Sequence, residues 1–577
     1  MKLRGFVVGL VSLLVVGAGL SVATHAGPAV PSSDAGVWTY TWSTTEEAGA
    51  QLHLNTNIPT ALTGANVAEI IGADVFHNSG FDGSGTVSSN IEAGHIWGEH
   101  ETLTHVTSFT NHPDDAYADP HRHATQVGMM IGGRQTQGGG VHQEGIAPET
   151  DLRSAAIATS GWGGGTTFNL SVATLAYALS STESGFGTAD VINASWGATH
   201  PSGDHWTAQI PDALAYDNPG TTFVVAAGNS GPGTNTVLSP GSGYNNITVG
   251  ALQNDGDNNY DAIAEFSSRG PQAYWDPVNG TIAAGVARRG AVDIVAPGTN
   301  LVSAHYDVDN PGATNLYASP LSGTSYSAPI VAGGVALMHD AARQMDLPDA
   351  AHDARIIKAN LLNAAWKPDD YYDNANGNNV ADPEQALHFT YGAGALDLGR
   401  TYTQYLTGQT DIEGMDGGTT SEVIGWDFAR VDLGDTTDVV ISTPLAAGSE
   451  FRATLTWFRE RNYIEDDDTV SVLEAGFANL DLQVWDSEFS TLYAESIDTY
   501  TPVEHLVFDL PTTGLYGLRV VYSENIFGEI DSADFALAWW GEAGIMDPPP
   551  VHLIIPEPGS LTLLAFGLVI VKRRRRR

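Results

Sequence analysis

The chain has 577 residues, 42% hydrophobic and 16% charged, which places it among soluble globular proteins with room for two or three domains. Lys and Arg number 24 against 67 Asp and Glu, and the net charge of -43 argues against nucleic acid and anionic membrane surfaces as partners. There is no cysteine, so disulfides, thiol catalysis and cysteine-linked lipid anchors are excluded.

Residues 1–26 hold Lys2 and Arg4, the apolar run FVVGLVSLLVVGAGL and the small-residue stretch SVATHAG. That order predicts a secretory signal peptide cleaved near Ala23 or Ala26, and therefore export. Residues 27–67 follow as an extension with little regular pattern.

Residues 68–400 alternate short apolar runs with helical patterns and Gly-rich turns. ADVINASWG, TTFVVAAGNSG, NNITVGA and VDIVAPG are β-branched runs ending in Gly or Asn, as buried parallel strands do where they open into loops. Helical patterns are expected in TTFNLSVATLAYALSS and after Ser325. The succession predicts an α/β layer fold with a mainly parallel sheet, whose sites gather at the carboxyl ends of the strands.

Three residues stand where chemistry would use them. His123, in DPHRHATQVGMMIGG, falls at the start of a closely packed helix, where an imidazole can serve as a base; the competing reading is a structural histidine. His121, two residues earlier, would face elsewhere. Asn229, in VVAAGNSG, ends an apolar strand, where its amide can donate to an oxyanion or merely shape a left-handed turn. Ser325, in LSGTSYSAPIVAGGVALMHDA, sits at a helix N-terminus, either as its cap or as a nucleophile near the free N–H groups. A serine hydroxyl needs a base to react.

Together with GIAPETDL, INASWG, FSSRGP and IVAPG, the motifs GTSYSAP, AAGN and HATQVGMMIGG resemble the subtilisin-like serine proteases from roughly Gly83 to Leu398. The resemblance implies a three-layer α/β fold and an endopeptidase acting on protein or peptide substrates with no cofactor required for the chemistry. It also implies Ser325 as nucleophile, His123 as general base and Asn229 as oxyanion donor. Ser195, Trp196 and Gly197, with Gly228 opposite, would border the pocket for the residue before the scissile bond. The chain departs from the family at the acid: in DGSGTVSSNIEAGHIW, Glu92 stands where aspartate is expected, at the end of a polar strand. Asp114, Asp115 and Asp119 are alternative carboxylates. Members of the family often carry a folded inhibitory pro-domain, for which the extension is too short and irregular.

From 401 to 545, DVVISTP, FRATLTWF, ANLDLQVWD, EHLVFDL, YGLRVVYS and FALAWWG alternate apolar and polar residues between turns, which predicts an antiparallel β-sandwich. Trp539 and Trp540 are expected to pack in its core; exposed, they would mark a binding face. The acidic stretch Asn254 to Asp261 is compatible with a structural calcium ion or a solvated turn, and no metal ligand is assigned. Residues 546–577 form a linker and tail: Pro556-Glu557-Pro558, an apolar run from Leu561 to Val571, then a basic block from Lys572 to Arg577. This tail resembles the PEP-CTERM sorting signal. It implies an exosortase-type partner, transient inner-membrane association, and delivery to the periplasm, cell surface or extracellular matrix of a Gram-negative bacterium. Two functions are carried forward: an exported serine endopeptidase with a Ser-His-Glu triad, or a catalytically impaired homologue acting as a binding module.

Overall fold

The β-branched runs form one eight-stranded sheet in the order Ala262–Ile263, Ile247–Gln253, Thr222–Ala226, Val191–Ala194, Val87–Glu92, Asp151–Ala156, Phe109–Asn111, with Ile294–Pro297 also paired to Ile247–Gln253. Every pairing is parallel except that of Ala262–Ile263. This computed structural model describes residues 38–43, 50–53 and 66–544, apart from 114–118, 137–143, 160–166, 255–258, 308–309, 311–315, 373–380, 411–415 and 467–468. The stretches expected to be a signal peptide and a sorting tail therefore lie outside the described residues. Among the described residues no helix is long and apolar enough to cross a membrane.

The strands read as unbroken apolar runs because both faces are covered. Val191 and Val224 join a core with Val331 and Val335 of the helix Thr324–Gln344 and Val127 and Ile131 of the helix Arg122–Gly132. Their neighbours Ile192 and Val225 point the other way, onto Leu175 and Leu179 of Val172–Ser180 and Ile210 of Trp206–Asp217. The result is three layers, as expected.

The strand Val87–Glu92 looks wrong for a core, yet the alternation accounts for it. Ile91 faces the second core, while Ser88, Asn90 and Glu92 share the face toward the His123 helix. There Ser88 Oγ meets Thr150 Oγ1 at 2.8 Å, and Asn90 Nδ2 donates to the Ala124 carbonyl at 3.1 Å. On this face each polar side chain is matched to a partner, as burial requires, whereas the Ser89 hydroxyl on the other face has none among the described residues.

Two expectations change. The stretch TTFNLSVATLAYALSS is not helical throughout: Thr167–Leu170 is a strand, and the helix starts only at Val172, where Ser171 accepts the Thr174 N–H at 3.1 Å. The N-terminal extension is not without structure either. Ala50–His53 pairs antiparallel with Thr167–Leu170, and Trp38–Ser43 adds an antiparallel strand to Thr469–Asp486 of the C-terminal region.

That region consists of two sheets. One contains Asp416–Thr420, Thr436–Leu445, Gly514–Gly528 and Thr469–Asp486, and the other Ile424–Asp432, Ser532–Trp540, Glu450–Trp457 and Val503–Asp509. All pairs are antiparallel except Asp416–Thr420 with Thr436–Leu445. Leu455, Trp457, Phe477, Leu518, Phe535 and Trp539 fill the space between them. Trp539 is fully buried and donates its indole N–H to the Glu422 carbonyl at 3.1 Å, so it is a packing residue. The sandwich is docked firmly on the first domain. Trp426, Ala536 and Ala538 extend one α/β core, Val470 and Val472 extend the other, and Arg461 reaches Asp212 of the helix Trp206–Asp217.

Candidate active site

Three segments distant in sequence meet around the peptide unit of Ser195, just past the end of the strand Val191–Ala194. Glu92, the last residue of its strand, is fully buried and uses both carboxylate oxygens: Oε2 lies 3.0 Å from His123 Nδ1, and Oε1 accepts the Ser195 N–H at 3.1 Å. The extra methylene of glutamate is thus accommodated by a carboxylate that bridges ring and backbone. The stand-in Asp119 is exposed, and its carbonyl accepts the His95 N–H at 3.0 Å. Asp114 and Asp115 lie outside the described residues.

His123 is the second residue of Arg122–Gly132, and His121 is the residue that precedes the helix. Gly128 lets this helix approach closely, since a Cβ there would come within 2.5 Å of Ile96. His123 is 4% exposed, its ring centroid is 5.9 Å from that of Tyr326, and its Nε2 has no hydrogen-bond partner among the described residues. His121 is different. Burial, then the charges of His123 and Arg122, push its imidazole well below the ordinary value, and its ring meets Phe168 edge-on at 5.5 Å.

Ser325 is the second residue of Thr324–Gln344, and Gly323 precedes the helix, so Ser325 is not the cap. Its N–H belongs to the first turn, where no carbonyl of the same helix can accept it. Its hydroxyl donates to the Ser195 carbonyl at 2.9 Å. The Ser195 peptide therefore holds the acid with its N–H and the alcohol with its C=O. Tyr326 donates to Gln126 Oε1 at 2.9 Å, tying the Ser325 helix to the His123 helix.

Asn229 sits at the mouth of the site. Its Oδ1 accepts both the Thr324 N–H at 2.9 Å and the Thr324 hydroxyl at 3.2 Å, which assigns Nδ2 as the end left to donate. The left-handed conformation in this turn belongs to Gly228, with φ of 106°, and not to Asn229. Gly228 N–H in turn donates to Thr324 Oγ1 at 3.1 Å. Thr324 thus fixes the amide, a role that its place beside Ser325 in GTS could have suggested.

Of the expected pocket residues, Ser195 meets the Ser325 hydroxyl through its carbonyl, and Gly228 meets Thr324 through its N–H. Trp196 does not contribute its ring: the indole is buried in the core beneath the sheet and donates to the Ile91 carbonyl at 3.0 Å. A further residue, Leu238, stands between Gly197 and Gly228, in van der Waals contact with both. No group of three or more metal-ligating side chains occurs among the described residues, and residues 255–258 of the acidic stretch lie outside them.

A buried carboxylate on one imidazole nitrogen and an alcohol at a helix N-terminus, both tied to the Ser195 backbone, are groups that a serine hydrolase on an α/β sheet uses. A family model for the subtilase family (Peptidase_S8) matches residues 89–394, more than half of the chain, and the protein belongs to that family. The chain is 35% identical over 161 residues to serine protease AprX of Bacillus subtilis, covering 26% of this chain and 32% of that protein. It is 30% identical over 234 residues to a subtilisin of Bacillus sp. strain TA39, covering 40% of this chain and 50% of that protein. The chain thus spans from about a third to a half of the length of these curated relatives. Among solved structures it is similar to the prenylagaramide maturation protease PagA, at 20% identity over 58% of this chain and 98% of that one, with a TM-score of 0.42.

Proposed function

We propose that the protein is an exported serine endopeptidase that hydrolyses peptide bonds through an acyl-enzyme on Ser325. The observation that carries this reading, in a chain of the subtilase family, is the buried Glu92 carboxylate held between His123 Nδ1 and the Ser195 N–H. Glu92 keeps the ring proton on Nδ1, leaving Nε2 as the base, and stabilises the imidazolium once it forms.

In the reaction Ser325 turns its hydroxyl from the Ser195 carbonyl to His123 Nε2 and gives up its proton as Oγ attacks the substrate carbonyl carbon. The oxyanion is held by Asn229 Nδ2 and the Ser325 N–H; losing one such donor costs about 3 kcal/mol of barrier. As the C–N bond breaks, His123 passes its proton to the leaving amine. Water then enters, gives a proton to His123, and releases the acyl group as a carboxylic acid while Ser325 recovers its hydroxyl proton.

The order of charged, apolar and small residues in 1–26 supports export, and the tail from Pro556 to Arg577 supports sorting by an exosortase-type enzyme to the surface of a Gram-negative cell. A serine-directed fluorophosphonate, applied to the purified protein with casein cleavage measured in parallel, tests the assignment. Labelling of wild type but not of Ser325→Ala is the expected outcome. An unlabelled wild type would point to the binding-module alternative instead, and casein cleavage unchanged in Glu92→Gln would remove Glu92 from the relay.

A further inference from the structure

A cavity of about 490 Å³ lies where the sandwich meets the first domain, a volume within the range of ligand-binding clefts. Glu92, His123, Asn229 and Ser325 are not among its lining residues. The strands Leu492–Ser496 and Val503–Asp509 form two of its sides, and Tyr371, Tyr372 and Asp382 of the α/β domain form the third. Both strands are sheet edges: among the described residues the first pairs only with Thr469–Asp486 and the second only with Glu450–Trp457.

The phase of the second pairing decides which backbone groups are free. Trp457 N–H donates to Pro502 O at 3.2 Å and Leu510 N–H to Ser449 O at 3.0 Å. An antiparallel ladder alternates, so Glu504, Leu506 and Phe508 engage Glu450–Trp457 with their N–H and C=O groups. Those of His505 and Val507 therefore turn to the cavity, and no hydrogen bond from another described residue reaches them. Such an open row is a template for another strand.

Side chains decide what kind of strand fits. Leu506 and Phe508 pack on the sandwich core with Tyr493, whereas Val503 joins the α/β core and His505 bonds Thr454 at 2.8 Å. An added strand alternates in the same way, one set of its side chains meeting the apolar face and the other meeting Tyr372 and Asp382. The surroundings of that second set are acidic. Asp382 and Glu495 line the cavity and Asp509 ends the edge strand, while the cations nearby are committed: Arg452 to Glu450 and the Ala365 carbonyl, and Lys367 to the Ala393 carbonyl and His505. The exposed ring of Tyr372 adds a face on which a cation can rest.

We propose that this cleft binds an extended polypeptide of alternating apolar and basic residues, as a strand added to the Val503–Asp509 edge and antiparallel to it, like every other pair in that sheet. In that arrangement the basic residues lie opposite His505 and Val507, so it is their N–H groups that pair. The proposal does not depend on the reaction at Ser325.

A fluorescein-labelled Val-Lys-Val-Lys-Val-Lys-Val peptide is titrated against the full chain carrying Ser325→Ala, so that the peptide survives, and binding is followed by fluorescence polarisation. Its counterpart with Glu for Lys should not bind. The lysine peptide N-methylated on its lysines should bind at least about tenfold more weakly, and the form N-methylated on its valines should bind almost as well as the parent. Val507→Pro removes a donor that the ladder does not use, so it should keep the parent's unfolding midpoint and lose about tenfold in affinity. Tyr372→Ala should lose about fivefold through the missing ring face. No binding of the lysine peptide, unchanged affinity in a folded Val507→Pro, or valine methylation as damaging as lysine methylation each overturns the proposal. If Val507→Pro does not fold, the two methylated peptides and Tyr372→Ala decide the question alone.

Discussion

The Ser195 junction and the Arg461 junction are both polar assemblies in places that water scarcely reaches, and they are finished differently. At the first, Glu92 is satisfied on both oxygens while His123 Nε2 has no hydrogen-bond partner among the described residues and the Ser325 hydroxyl rests on a carbonyl. At the second, Arg461 bonds Asp212 at 2.7 Å and Glu474 at 2.7 Å, Arg459 bonds Glu474 at 3.0 Å, and Asp212 also accepts the N–H groups of Tyr244 and Asn245. The guanidinium of Arg459 lies over the Tyr244 and Phe527 rings, at 4.5 and 4.8 Å. Burial alone would raise the Glu474 carboxyl, and the two arginines overcome it and hold it below its ordinary value. Burial wins at Asp212, which is raised despite Arg461. The second network holds two domains together even though Arg459 Nη1 and Nη2 have no hydrogen-bond partner among the described residues, the guanidinium charge being met by Glu474 and the ring faces; at the first, the unpartnered atom is an imidazole nitrogen.

The contrast predicts which changes act on rate and which on stability. Ser325→Ala should lower kcat by about 10⁶ and leave the unfolding midpoint almost unmoved, because the hydroxyl makes one bond to a carbonyl. Arg461→Met should do the opposite. With Asp212 and Glu474 left buried and under-paired, denaturant unfolding should show a loss of about 3–5 kcal/mol, little altered by salt, while the folded fraction retains its turnover. A rate loss in Arg461→Met beyond the loss of folded protein would mean that the two junctions are coupled.

A smaller effect concerns His339, within the Ser325 helix. Burial pushes its imidazole down to about 3, with Asp190 raising it and His352 and Arg343 lowering it. It is neutral in the folded chain, so its contribution to stability is present above the unfolded value of about 6.5 and lost as pH falls from there toward 3. Replacing it in His339→Gln should flatten the fall of stability between pH 6.5 and 4 by about 1.4 kcal/mol per pH unit. Asp498, raised by burial to about 6, works in the opposite sense, which is why variant and wild type must be compared at each pH. Smallest of all, Arg430→Ala removes the surface pair with Asp534 at 2.6 Å and should cost less than about 1 kcal/mol, vanishing in high salt.

The α/β layer was legible because strands such as Val191–Ala194 and Thr222–Ala226 are apolar on both faces, and the sandwich because its strands alternate. The positions of His123, Asn229 and Ser325 at element ends were legible from local pattern, and that of Glu92 from the resemblance to a family that carries an aspartate at the end of this strand. What sequence could not show depends on partners far away in the chain. Nothing in the run ERNYIED marks Arg461 as buried, since its partners Asp212 and Glu474 belong to other elements. Leu238 follows no period either; its meaning comes from Gly197 and Gly228 closing around it. Thr167–Leu170 reads as part of a helix until Ser171 is seen to start one, and its strand character depends on pairing with Ala50–His53.

The central claim is that Glu92 orients His123 toward Ser325, and the rate of fluorophosphonate labelling in Glu92→Gln measures it most directly. An amide of the same size should still accept the Ser195 N–H but cannot stabilise the imidazolium, so labelling is expected to slow by about 10⁴ relative to wild type. Labelling within a few-fold of wild type would contradict it.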